Sequence, residues 1–450
     1  FREGFRTGEQ SAWVENVFDG ITAPGKWVAD TSRGRIYLWP RTANTIDTEG
    51  KPKEPAESVY APHLTEIIRV DGMDGDTPVE NLFFEGLTFA HTERITWDAK
   101  TVGLQHDWDL YDSPNAMVRF RGAENCAIRN CAFTASGGVA VRLDLHCIDN
   151  RIEDNAITGM GGTGILLAGY GPGEKDVNHH NSVAGNHISC CGELFWMSPG
   201  IFVWQSGNNR IVNNLIHDLP YDGIVVSGPR FHFLLEDLGK REQYGTIQWG
   251  EIGSLAAKAQ AAVLATAKEN GEELENETLA YRMSCRIEHL LHARCNIVEE
   301  NELHNVLGVL ADGDAIYFSG TGRDNVVRRN YIHDVVSPGT MAHILRMDGM
   351  QYWTTIEENV IFRSSGGIAI RALCNAVNNY IIDVVYPPES YNVRRRHCPI
   401  VAMMGAQGET APRMIRHNLY YQSDYVDELI SFRVHTGGVG YWQDVVSDEN

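Results

Sequence analysis

Four charged residues in two short stretches have the types and spacing to do chemistry. "DGDAIYFSG" sets Asp312 and Asp314 just ahead of an apolar run, and "HILRMDG" sets Arg346 and Asp348 at the exit of another. Two carboxyl groups flanking one bond are the minimal equipment of glycoside hydrolysis: one protonates the leaving oxygen while the other attacks or activates water. An arginine beside them can hold one carboxyl ionised, while burial or a neighbouring like charge keeps another protonated. Asp at a strand end is also a common turn former, so these residues carry the chemistry only if the fold gathers them on one face.

The elements that would gather them are legible as a repeat. A motif of Asn, a hydrophobe, two loose positions, Asn and another hydrophobe places its second Asn at 130, 155, 186, 214, 301, 330 and 359. The first six motifs carry the earlier Asn as well; in the seventh Thr354 stands in. Each motif is followed by a second short apolar run, usually opened by glycine, such as "GTGILLAG" at 162 or "PGIFVWQSG" at 199. Short alternating strands recurring every 20 to 30 or so residues mean a solenoid, and the units are too short for a helical crossover. The reading is an all-β chain folded as a right-handed parallel β-helix. Each rung would set an Asn at the same corner, in left-handed backbone, bonded to the Asn above and below. Adjacent rungs lie about 4.8 Å apart, which brings the Asp312 rung against the Asp348 rung.

Around this stack, residues 1–75 read as a small antiparallel unit, 76–425 as the β-helix and 426–450 as a C-terminal cap. The 87-residue step between Asn214 and Asn301 holds an insertion at about 231–295: an Ala-rich helix, a break near 269–276 and a second amphipathic helix. It would serve as a lid or groove wall, or as a packing decoration. Long loops at 91–117, 168–181, 190–200, 228–250 and 336–343 mark the working face. Their aromatics (Trp97, Trp108, Tyr111, Tyr170, Trp196), with Trp204 and Gln205 beside them, suit the apolar faces and hydroxyl edges of sugars. Arg346 and His343 join them as substrate contacts.

Histidines recur three residues after the second Asn, at His217, His304 and His333. They read as corner residues bonded to backbone, or, as with His333, as a groove lining. Adjacent His179 and His180 are expected to point apart, so no metal site is assigned, and no paired CxxC motifs call for zinc. Cys126, Cys131, Cys147 and Cys374 fall inside apolar runs and read as small buried hydrophobes.

The 450-residue chain carries a formal net charge of −21, which disfavours nucleic acid and anionic membranes as partners. No apolar run reaches the roughly 18 residues that span a bilayer. The chain opens at Phe1 without a targeting segment. Its oligomeric state is not legible.

With these motifs in view, the sequence resembles the right-handed β-helix glycoside hydrolases of families 141 and 120. The resemblance lies in the lead-in "ENVFDGITAPGKWVADTSRGRIYLWP" (15–40), the first rung "NLFFEGLTFAHT" (81–92), and "DGDAIYFSGTGRDNVVRRNYIHDV" (312–335) followed by "ILRMDG" (344–349). It implies hydrolysis of α-L-fucosides, xylans or β-xylosides of plant and algal polysaccharides, with Asp312 and Asp348 as the catalytic pair. It also implies a secreted or periplasmic setting and no cofactor, with structural calcium compatible. Asp314 stands where the family pattern has glycine, adding a third acid to the catalytic group. Two other readings share the scaffold: a polysaccharide lyase, which needs a basic residue and often Ca²⁺ in the groove, and a non-catalytic glycan-binding helix.

Overall fold

The structure is a computed structural model that describes residues 16–41, 59–73, 77–94, 113, 115–229, 246–310, 312–337, 343–348, 353–371, 374–385, 400–404, 413–421, 423, 430–434 and 445–448. Trp97, Trp108 and Tyr111, expected on the working face, lie outside these residues.

Two units separate. Residues Glu9–Pro62 form the smaller. In it Trp27–Asp30 pairs antiparallel with Arg35–Leu38, around a turn in which Gly34 takes φ 60°, a conformation glycine adopts without strain. The larger unit, from His63 onward, is a coil of short strands in three parallel sheets of 13, 11 and 10 strands among the described residues. Parallel pairing begins at Ile68, inside the stretch assigned to the antiparallel unit. It continues through Ile430–Val434 and Val445–Asp448, inside the stretch assigned to a cap.

Each rung reads apolar at the positions that face the interior. Ile128, Ile152, Val183, Ile211, Val298, Val327 and Ile356 occupy one register in the 11-stranded sheet, and all are fully buried. β-branched side chains stacked at rung spacing suit this narrow, packed interior.

The asparagines form two continuous ladders. Asn214, for instance, accepts at Oδ1 from the Asn186 backbone N–H and Nδ2, both at 3.0 Å. It donates its own N–H and Nδ2 to Asn301 Oδ1 at 3.0 and 2.9 Å. The ladder runs on through Asn330, Asn359, Asn379 and Asn418, two rungs beyond the last motif in the sequence reading.

The left-handed backbone sits one residue earlier than expected. Asp154, Asn213, Glu300, Arg329, Glu358 and Asn378 take φ of 53–58°, and the ladder Asn follows each of them. A buried amide must satisfy both its groups, so the ladder residue keeps ordinary backbone while its exposed neighbour makes the turn. In the first of the motifs Asn125 and Asn130 are themselves the left-handed residues. Cys126 and Cys131 fill the ladder slots, donating their backbone N–H to Asn150 and Asn155 Oδ1. Both cysteines, with Cys147 and Cys374, are buried as expected.

The insertion forms helices at Gly250–Glu269 and Asn276–Ile287, close to the expected break. The first buries Ile252, Ala256, Ala259, Val263 and Ala267, an i, i+4 stripe typical of a helix packed on one face. Trp249 at its start lies 5.4 Å, centroid to centroid, from Trp204. Leu166, Phe202 and Val225 share the outward register of Arg142, Tyr317 and Arg346, yet they are fully buried in one core cluster with the helix. The insertion therefore packs on the outer face of the 13-stranded sheet, across its middle rungs.

Candidate active site

Next to that covered zone, the outer face turns polar. Strands Ile316–Ser319 and His343–Met347 pair with Tyr317 opposite Arg346. Asp312 and Asp314 precede the first strand and Asp348 closes the second, its backbone N–H held by Phe318 O at 2.8 Å. The four residues singled out in the sequence come together around one guanidinium. Arg346 Nη2 donates to Asp348 Oδ2 at 2.7 Å, and Nη1 lies 3.4 Å from Asp312 Oδ1 and 3.8 Å from Asp314 Oδ2. Tyr317 Oη donates to the same Asp348 oxygen at 2.9 Å, and the Arg346 guanidinium carbon lies 5.5 Å from the centre of the Tyr317 ring.

Exposure grades the three acids. The side chain of Asp312 is 23% exposed, that of Asp348 8% and that of Asp314 0%. Neither carboxyl oxygen of Asp314 has a hydrogen-bond partner, while its backbone N–H donates to Asp222 Oδ1 at 2.6 Å. Burial raises the Asp314 pKa well above the carboxylate range; Arg346 opposes this, and Asp222, Asp312 and Asp348 add to it. Burial alone would lower the Arg346 pKa, but the surrounding Asp348, Asp314 and Asp312 push it up. Tyr221, which donates to the Asp312 carbonyl, is held protonated chiefly by burial. One arginine cannot balance so many carboxylates in a partly dry site. The arrangement places Asp314 at the back, where burial favours its protonated form, and ion-paired Asp348 in front. Tyr317, Tyr221 and Asp222 escaped the sequence reading; Tyr317 alone carried a signal there, as the outward neighbour of Arg346 by strand alternation.

The other expected contacts scatter. Trp204, 2% exposed beneath Trp249, anchors the insertion instead of facing a sugar. Gln205, likewise buried, takes φ 49° and clamps the return of the insertion, donating to Leu290 O and accepting from the His292 N–H, each at 3.0 Å. His343 opens its strand and is buried. Tyr170, with Lys175 Nζ 4.5 Å over its ring, follows a strand four rungs from the Asp348 strand, about 19 Å away at rung spacing. Trp196 is half-buried against the core in the loop before Ile201–Trp204.

His333 belongs to the 10-stranded sheet, away from the acids. The histidine column is a stack of rings rather than a set of backbone-bonded corners: His217 and His304 lie 4.7 Å apart at 4°, and His304 and His333 lie 5.0 Å apart. Their polar partners are carboxylates, Asp218 for His217 and Asp334 for His333. His179 and His180 do not point apart; their Nδ1 atoms lie 2.7 Å from each other, because left-handed backbone at His180 turns its side chain back. Among the described residues no group of three or more His, Cys, Asp or Glu is arranged to hold a metal ion.

Residues 116–236 match a family model described as "Right handed beta helix region". No curated protein sequence matches the chain. Among solved structures it is similar to a protein titled "Glycoside hydrolase" at 14% identity and TM-score 0.49, over 90% of this chain and 57% of that one. The chain thus spans little more than half the length of that protein. It is also similar to an alginate lyase from Paenibacillus sp. str. FPU-7 (12%, TM-score 0.39, 78% of this chain and 99% of that one) and to a DFA-IIIase from Arthrobacter chlorophenolicus A6 (12%, TM-score 0.42, 81% and 76%). The stacked ladders and the family match together make this chain a right-handed parallel β-helix.

Proposed function

We propose that the protein is a glycoside hydrolase working at the Asp312–Arg346–Asp348 cluster on the outer face of the 13-stranded sheet. The observation that carries the reading is three carboxyl groups gathered on one guanidinium, with graded access to solvent. Asp348, ion-paired with Arg346 and hydrogen-bonded by Tyr317, is the anionic member that attacks the anomeric carbon or activates water. Asp312, the more exposed and more loosely held, gives the proton to the leaving oxygen. Asp314 sits behind both as a neutral group. A surplus of carboxylates over cations favours the positive charge that develops on the sugar ring in the transition state.

The same surplus argues against the lyase reading. A uronate carboxylate would meet Asp312 and Asp348, and Arg346 is already committed to Asp348. The choice of substrate follows the sequence resemblance: α-L-fucosides, xylans and β-xylosides of plant or algal polysaccharides come first.

The test is a screen of nitrophenyl glycosides and plant and algal polysaccharides, read in parallel for new reducing ends and for ultraviolet absorbance. The expected result is reducing ends without unsaturated product, abolished in Asp312→Asn and Asp348→Asn. Unsaturated product would establish a lyase. Turnover unaffected by both substitutions would remove the cluster from the chemistry.

A further inference from the structure

The 10-stranded sheet carries a second constellation that the proposed hydrolysis does not use. Its outer face bears His187, His217, His304 and His333 along neighbouring rungs. His187 Nε2 and His217 Nε2 lie 2.7 Å apart, and the rings from His217 to His333 stack at 4.7–5.0 Å. Stacked rings hide their faces against each other and turn their edges outward. That rules the strip out as a stacking platform for sugars and leaves the ring nitrogens as its working groups.

The hydrogen bonds fix which nitrogens those are. His217 Nδ1 lies 2.8 Å from Asp218 Oδ2. An ionised carboxylate only accepts hydrogen bonds, so His217 keeps its proton on Nδ1, donating it to Asp218, and the lone pair of neutral His217 sits on Nε2, the atom facing His187. An imidazole held this way by a carboxylate is the usual outer-shell arrangement of a metal ligand: it sets the ring's orientation and raises its basicity. Two imidazole nitrogens bound to one ion at about 2.0–2.1 Å lie roughly 3 Å apart, close to the separation already present. His187 is exposed and can move outward by the few tenths of an ångström required.

We propose that His187 and His217 form a surface site for a divalent transition-metal ion, in which the ion replaces the proton shared between the two Nε2 atoms as His187 shifts to its Nδ1–H tautomer. With no third protein ligand converging among the described residues, water completes the coordination. Imidazole pairs favour Cu²⁺ over Zn²⁺ and Ni²⁺. The site lies on a different sheet from Asp312 and Asp348, so it is independent of the hydrolytic reading.

The experiment titrates the full chain with Cu²⁺ at neutral pH, following stoichiometry by calorimetry and ligand nitrogens by electron paramagnetic resonance. The expected result is a bound Cu²⁺ with two imidazole nitrogens, lost in His187→Ala and in His217→Ala, and weakened roughly 10- to 100-fold in Asp218→Asn. His179→Ala serves as the comparison, because that residue belongs to the other close imidazole pair; it is expected to leave the signal intact. A two-nitrogen signal that survives in His187→Ala, or that disappears in His179→Ala, overturns the proposal. His187 is exposed and outside the core, so its substitution decides the matter even if His217→Ala fails to fold.

Discussion

Arg346 reaches Asp348, two residues ahead on the same outward face, at 2.7 Å. Strand alternation puts residues i and i+2 on one side of a sheet, so the ion pair is built into the local sequence "RMD" and needs no long-range contact to form. What the neighbouring rung adds is Tyr317, Asp312 and Asp314, and with them the chemistry.

Removing either front carboxylate should abolish turnover while leaving the coil folded. Asp348→Asn and Asp312→Asn are each expected to lower kcat by about 10²–10⁴, measured on whichever glycoside the screen identifies. Arg346→Met differs in kind, because it leaves three acids crowded without a counter-charge. It should lose stability by roughly 3–5 kcal/mol, read by denaturant unfolding at neutral pH.

Asp314 yields a pH signature. Its folded pKa lies above its unfolded value, so the folded state holds a proton that the unfolded chain gives up. Its contribution is therefore fully present below the ordinary value of 3.8 and is lost as pH rises toward the raised folded value. The slope is at most about 1.4 kcal/mol per pH unit. Asp314→Asn, which mimics the neutral acid, removes this slope. Unfolding curves from pH 4 to 8 should show the variant gaining on the native protein as pH rises; parallel curves would contradict the neutral-acid assignment.

His304 gives the opposite sign. Its pKa is lowered, first by burial and then by His217 and His333 stacked on either side, with Asp218 and Glu302 opposing. Its stabilising contribution is complete above the ordinary 6.5 and is lost as pH falls through that value toward the lowered folded one. His304→Phe keeps a flat ring in the stack, as Phe362 already does beside His333, and should flatten the loss of melting temperature between pH 7 and 5.

Trp204 separates packing from sugar binding. Trp204→Ala should cost about 3–5 kcal/mol, the range for truncating a large buried aromatic. At a temperature where the variant remains folded, KM should be unchanged. A raised KM with intact stability would restore the sugar-facing reading.

The coil was legible because its signal is redundant: the same Asn recurs rung after rung, and each ladder amide has one way to be satisfied. The acids were legible because strand alternation and rung spacing convert sequence positions directly into a face. What was not legible depended on which segment covers which. Trp204 carries the same outward register as the site residues and Gln205 follows it at the strand end, and nothing in their own neighbourhood announces that a helix beginning some 45 residues later lies over them. The left-handed position was misplaced by one because Asn is both a good turn former and a good ladder amide. Only the buried hydrogen-bond requirement, or the Cys126 and Cys131 variants of the first motif, tells the two roles apart.

The insertion leaves the coil after Ser227 and returns by Asn296, whose Oδ1 accepts directly from the backbone of Asn209, one rung below. In topology it is a cassette: excised and closed by a short turn, it would leave both ladders intact. In surface chemistry it is nothing of the kind. Leu166, Phe202, Trp204 and Val225 would be laid bare as a contiguous greasy strip on a sheet face, an aggregation hazard of the sort soluble proteins avoid. A β-helix of this lineage could acquire or shed such a segment only together with the side chains beneath it, so the two should evolve as a single block.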